Sequence, residues 1–221
     1  MIEEFFNKEK EKGLDKVLVT HGKCSDGFGA AWTVWKKYGN DLEYYFATHS
    51  DQPIEFKNKK LLFTDFAYDR KTMQELIKHN DVLIIDHHIF AFEDLADIKN
   101  AYFDLTKSAS VLTWEKIFPD KKVPLLLKYV EDRDLVKYQM PYAMEILSVL
   151  DNIPKDFESW SYFAEHLENN FDDVLIEGIE LRKKFEDHLN ELTKNPIIIK
   201  IAGETGIAVN AKEWDFASYA A

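Results

Sequence analysis

Asp86, His87 and His88 close the apolar run Val82-Leu83-Ile84-Ile85 and are the residues of this sequence best equipped for chemistry. Carboxylates and imidazoles hold divalent cations, and an imidazole moves protons near neutral pH. A β-branched run that stops abruptly at such groups reads as a buried parallel strand. It delivers polar side chains to the sheet edge where α/β proteins bind ligands. On an extended backbone Asp86 and His88 share one direction and His87 takes the other, so one histidine can hold metal while the other faces substrate. Taken alone, the tripeptide reads equally well as a satisfied hydrogen-bonding corner.

Three further elements end in the same way. The strand-like run Val17-Leu18-Val19-Thr20 stops at His21, and Cys24 and Asp26 follow in one short loop whose glycines, Gly22 and Gly27, allow a tight turn. Each of these three side chains offers a lone pair to a divalent cation. Leu61-Leu62-Phe63-Thr64 ends in Asp65, and an apolar helix over about 125–130 ends in Glu131-Asp132-Arg133-Asp134. A single Asp at an element's end is commonly a cap or a turn former. Four such ends in one chain point to a metal centre.

In this order, His21-x-x-Cys24-x-Asp26-Gly27, then Asp65, then Asp86-His87-His88, then Asp132, the motifs resemble those of the DHH phosphoesterase superfamily over about residues 15–150. That superfamily includes nanoRNases, exopolyphosphatases and cyclic-dinucleotide phosphodiesterases. The resemblance implies two divalent ions, Mn²⁺ in the first place and Mg²⁺ as the alternative. By motif, His21 and Asp65 hold the first ion, and Asp26, Asp65, His87 and Asp132 hold the second. His88 is then left near the substrate, and Asp86 orients a neighbouring histidine. This chain departs from the pattern at Cys24, which stands where the family has an acid. A thiolate there alters the first site more than the second, whereas the alternative is a small semi-buried residue with no ligand role.

An alternating plan positions these ends. Helices over about 27–39, 71–79 and 108–118 and strands over about 43–47, 61–65, 82–86 and 101–103 give an α/β fold. Its sheet is expected to be mostly parallel, with helices on both faces. Ser108 and Ser110 read first as helix caps, and His49 as a loop histidine. Helices follow over 143–151 and 156–168, then a long amphipathic one from Phe171 to Lys194 that Asn195-Pro196 breaks. Ile197–Ile201 and Gly206–Asn210 then form a strand pair around Ala202-Gly203-Glu204-Thr205. The expected organisation is a metal-binding catalytic domain over 1–150, a helical linker over 151–194 and an incomplete substrate-binding domain over 195–221. The Gly-Gly-Gly-His motif that carries substrate contacts in the superfamily's second domain is missing.

Composition narrows the partners. The 221 residues carry 40 acidic against 28 basic side chains, a net charge of −12, with no basic stripe of the length that long nucleic acid requires. Short substrates are therefore expected, with Lys23, Arg70 and Arg133 as the basic groups nearest the motifs. A single cysteine excludes an intrachain disulfide, and no apolar run approaches the roughly 20 residues of a membrane span. The charged start, Met1 to Lys12, carries no export signal, so the cytoplasm is the expected compartment. Two functions follow. The first is a metal-dependent phosphoesterase acting on a short nucleotide or other small phosphoester. The second is a non-catalytic nucleotide-binding or assembly protein that keeps the fold, with a homo-oligomer as one way to complete the cleft.

Overall fold

The computed structural model describes residues 1–7, 15–194 and 197–208. Helix α1 (Ile2–Asn7) precedes β1 (Asp15–His21), α2 (Ser25–Tyr38), β2 (Glu43–Ala47), β3 (Lys59–Thr64), α3 (Arg70–His79) and β4 (Asp81–Asp86). Next come α4 (Ile89–Leu95), β5 (Ala101–Phe103), α5 (Ala109–Ile117), α6 (Leu125–Asp134), α7 (Ala143–Leu150), α8 (Phe157–Asn169) and α9 (Phe171–Thr193). A hairpin of β6 (Ile197–Ile201) and β7 (Glu204–Ala208) closes the described part. The α/β class and the strands of the first domain agree with the sequence reading. Helices α1 and α4 are additions to that reading; at six and seven residues both are too short for helical periodicity to be legible.

The five strands pair in the order β2-β1-β3-β4-β5, all parallel. Central strands β1, β3 and β4 are the continuous apolar runs, buried on both faces as covered parallel strands must be. Alternation sends Leu18, Leu62, Leu83 and Ile85 to a core shared with α1, α2 and α5. Val17, Val19, Leu61, Phe63, Val82 and Ile84 go to the other core, under Met73, Leu76 and Leu95. Each such side chain, fully buried, contributes about 1.5–3 kcal/mol.

From β1 the strand order runs to β2 on one side and to β3 on the other, so the switch point lies between β1 and β3. Open α/β sheets bind ligands there, outside the carboxyl ends of the strands. Register brings the ends level, since Thr20 pairs with Thr64 and Thr64 with Ile85, so the residues that follow are His21, Asp65 and Asp86.

The expected linker over 151–194 needs correction. Trp160, Phe163, Ala164 and Leu167 of α8 and Val174 of α9 are buried in one cluster with Phe28, Trp32, Leu126 and Leu147. Trp32 Nε1 also donates to Ser161 Oγ at 2.9 Å. Segment 157–174 is therefore core of the first domain, because its aromatic face has the α2 and α6 surfaces to cover. Gly178 lets α9 meet α7 closely; a Cβ there would stand 2.4 Å from the Glu145 carbonyl oxygen. Beyond this point Leu181 of α9 still packs against the same cluster.

The hairpin turn is tighter than the sequence suggested. Ala202 and Gly203 both have positive φ, 52° and 93°, the pattern of a two-residue turn, so β7 begins at Glu204. The break at Asn195-Pro196, the end of the expected last strand at Val209-Asn210, and residues 211–221 lie outside the described residues. No helix among the described residues is long and apolar enough to cross a membrane.

Candidate metal centre

His21 is the last residue of β1, and Cys24 is the N-cap of α2, with its Sγ accepting from Gly27 N at 3.1 Å. Ser, Thr, Asp and Asn dominate that role. A helix start at 27 missed it because the sequence offers a thiol in their place. Asp26 then falls in the first turn, buried, and its carboxylate accepts from Ala109 N (2.7 Å) and Ser110 N (3.0 Å) at the start of α5. Gly27 keeps the loop closed against the strand ends: a Cβ would stand 2.3 Å from His21 O and 2.9 Å from Asp65 Oδ2.

Asp65 follows β3 in the left-handed region, φ 55°, a sparsely populated conformation of the kind that concentrates at functional sites. Its two oxygens face two different neighbourhoods. Oδ2 accepts from Cys24 Sγ at 2.9 Å and lies 4.0 Å from His21 Nδ1. Oδ1 lies 3.4 Å from His87 Nε2 and 3.9 Å from His88 Nδ1. His21 Nδ1 and Cys24 Sγ are themselves 3.2 Å apart.

His87 Nε2 also stands 3.7 Å from Asp26 Oδ2 and 3.3 Å from Asp134 Oδ2. It makes a hydrogen bond with none of its three carboxylate neighbours, and Asp134 Oδ2 has no hydrogen-bond partner either. An unsatisfied buried polar atom costs about 1–3 kcal/mol. Two such atoms converging in one place fit a cation that would serve both. Ligand atoms of His21, Cys24 and Asp65 lie within 4.8 Å of one another, as do those of Asp26, His87 and Asp134, and those of Asp65, Asp86, His87 and His88.

The tripeptide divides its work along the chain. Asp86 Oδ1 accepts from His88 Nδ1 at 2.7 Å and from the His87 backbone N at 2.7 Å. His88 is thereby fixed with Nε2 turned away from Asp86, and about half of its side chain is exposed.

Asp132, the fourth-motif ligand expected from the sequence, does not join the cluster. Its two carboxylate oxygens accept from Gln139 N (2.8 Å) and Met140 N (2.9 Å), holding the segment that follows α6. Two residues along a helix point to nearly opposite sides, so Asp134 rather than Asp132 reaches His87. Glu131, three residues before Asp134 and on its face, accepts from Ser108 N at 3.0 Å beside Asp26's own partners. Their i, i+3 spacing puts Glu131 and Asp134 on one helix face and Asp132 on another; which face meets the cluster is set by how α6 packs.

The charges strain against one another. Burial, together with the Asp26 charge, raises the Asp65 carboxyl to about 7. The same two causes raise Asp134 to about 6. Burial alone would lower the His87 pKa, but the contacts to Asp65, Asp26 and Asp134 outweigh it and push it up to about 9. Burial and the neighbouring Asp65 push the Cys24 thiol up, while burial and His49 hold His21 below its ordinary value. A cluster of carboxylates that retains protons near neutrality is one that a cation would relieve.

At the rim, His49 is a loop histidine as expected, two residues past β2, and its ring lies 4.8 Å from Phe66 and 6.0 Å from His21. A cavity of about 340 Å³ opens there, lined by His49, Asp65, Phe66, Asp86, His88 and the exposed Phe90. Of the basic residues nearest the motifs, the two arginines are engaged through their side chains. Arg70 pairs with Asp94 and Asp97, and Arg133 with Asp151 and Ser25 Oγ; at Lys23 it is the backbone oxygen that is engaged, accepting from Lys155. Ser108 caps α5 through Val111 N, as expected.

No family model matches this chain. It is 34% identical over 179 residues to "Uncharacterized protein R106" of Acanthamoeba polyphaga mimivirus, covering 72% of this chain and 42% of the viral protein. The chain thus spans less than half the length of that relative. Among solved structures, an uncharacterized protein from Helicobacter pylori G27 aligns over 88% of this chain and 75% of its own, at 10% identity and a TM-score of 0.47.

Proposed function

We propose that this chain is a metal-dependent phosphoesterase of the DHH kind, hydrolysing a short nucleotide or another small phosphoester. The observation that carries the reading is the position of Asp65, whose Oδ2 faces His21 and Cys24 while its Oδ1 faces His87 and His88. One carboxylate is thereby offered to two cations. His21, Cys24 and Asp65 would hold the first; Asp26, Asp65, His87 and Asp134 would hold the second, with Asp134 in the role the motif order gave to Asp132. Two divalent ions, Mn²⁺ or Mg²⁺, would acidify a water and neutralise charge on phosphoryl oxygens.

The chain's own groups supply the rest. In the reaction a water oxygen adds to phosphorus, the ester P–O bond breaks, and the departing oxygen needs a proton. His88 is suited to give it, because the hydrogen bond from its Nδ1 to Asp86 raises its pKa and leaves Nε2 directed elsewhere. Asp86 positions that ring rather than touching substrate. The 340 Å³ cavity beside His88 and the net charge of −12 favour a compact substrate over a long polyanion.

Hydrolysis of dinucleotides, 3′-phosphoadenosine 5′-phosphate and pyrophosphate by the chelator-stripped chain, with and without added Mn²⁺, tests the proposal. The expected result is cleavage of at least one of them that depends on Mn²⁺. Absence of cleavage across the panel, or cleavage indifferent to chelation, overturns it.

A further inference from the structure

The two oxygens of Asp65 meet chemically different ligand sets. On the Oδ2 side stand one nitrogen, His21 Nδ1, and one sulfur, Cys24 Sγ. On the Oδ1 side stand the His87 and His88 nitrogens, and the same His87 Nε2 meets oxygens of Asp26 and Asp134, with no sulfur. Thiolate donors select Zn²⁺ and other softer ions, whereas carboxylates suit Mn²⁺ and Mg²⁺.

Cys24 stands among polar partners and is not a buried hydrophobe. Its Sγ touches two other ligand atoms, at 3.2 and 2.9 Å. It also caps a 14-residue helix, where the Gly27 N–H donates to the sulfur at 3.1 Å. The Gly27 N–H favours the thiolate, while burial and the Asp65 carboxylate hold the proton on sulfur until a cation replaces it. A second observation points to a cation centre independently of the cysteine. His87 Nε2, on a side chain only 8% exposed, is aimed among three carboxylates without a hydrogen bond to any of them. On the cysteine side the three donors, one each of nitrogen, sulfur and oxygen, leave a tetrahedral ion one open position, the arrangement of catalytic zinc sites.

We propose that the centre is chemically asymmetric. His21, Cys24 and Asp65 form a zinc-selective site, while Asp65, Asp26, His87 and Asp134 take Mn²⁺ or Mg²⁺, so that the working centre carries two different metals. The inference rests on the two-cation reading above, but its test does not pass through hydrolysis.

The full chain is stripped of metal and titrated with Co²⁺, which gives a near-ultraviolet charge-transfer band when bound by thiolate. Metal content is counted per chain in parallel. The expected course is two cobalt ions per chain and one thiolate band, removed by one equivalent of Zn²⁺ but not by excess Mn²⁺. Cys24→Asp, which keeps a good helix cap, should lose the band and weaken Zn²⁺ binding at that site by roughly tenfold or more, since even outer-shell changes cost about 10–100-fold. Its second ion should remain. Cobalt uptake by the parent chain without the band overturns the asymmetry and leaves the two-cation reading standing, as does a band that Mn²⁺ removes as readily as Zn²⁺. No cobalt uptake at all overturns both.

Discussion

Oδ1 of Asp65 lies 3.4 Å from Nε2 of His87, so a carboxylate just past β3 meets the imidazole just past β4, across two paired strands. The contact is a consequence of register. Thr64 and Ile85 are level, and each strand hands its next residues to the same edge of the sheet. Asp65 stands at that edge with its backbone in the left-handed region, φ 55°.

Replacing this residue separates stability from function. The Asp65 carboxyl, held at about 7 chiefly by burial, is raised above its ordinary 3.8. A raised acid costs the metal-free fold stability as pH climbs from about 4 through about 7, because the unfolded chain ionises first. Asp65→Asn keeps the shape and tolerates positive φ. At pH 8 without metal it should be more stable than the parent by on the order of 1 kcal/mol. Urea denaturation measures this, and a variant less stable than the parent would count against the account of the site.

Metal affinity should climb with pH. Protons on Asp134 (about 6), Asp65 (about 7) and His87 (about 9) must leave before these groups bind a cation. Between pH 6 and 9 the apparent Mn²⁺ affinity is expected to rise, with proton release visible by calorimetry in buffers of different ionisation heat. A flat profile over that range contradicts the ligand assignment.

The two histidines of the tripeptide should part company. His87→Ala is expected to lose a cation and activity together. His88→Ala should keep the metal content and lose turnover by about 10²–10⁴-fold, the usual range for a general acid. Metal content set beside kcat for both variants checks the division, and a His88→Ala protein emptied of metal would reverse it.

Asp132 and Asp134 should behave as opposites. Because Asp132 accepts two backbone N–H groups while buried, Asp132→Ala should cost roughly 1.5–3 kcal/mol or more of stability. It should leave cation stoichiometry intact. Asp134→Asn should remove a cation with little effect on the denaturation midpoint. The reverse pattern would restore Asp132 as the ligand.

Much of this site was legible in the sequence because strand ends are legible. An apolar run that stops at His21, Asp65 or Asp86 marks both a central strand and its carboxyl edge, and the sheet order did bring those three ends level. What escaped was set by side-chain direction and by packing. Asp132 and Asp134 differ only in which way a helix turns them. Cys24 capped a helix through an atom type that rarely does so. His49 came near His21 because β2 lies beside β1, a neighbour relation that no local pattern encodes. The aromatic face of α8 read as a linker until α2 and α6 were there to cover it.

The claim on which the rest depends is that one carboxylate serves two cations. Crystals of the full chain soaked in Co²⁺ and measured at the cobalt absorption edge would test it most directly. Two anomalous peaks are predicted, one within about 2.0–2.2 Å of Asp65 Oδ1 and the other within the same distance of Oδ2. A single peak at Asp65, or two peaks neither of which touches it, would contradict the account.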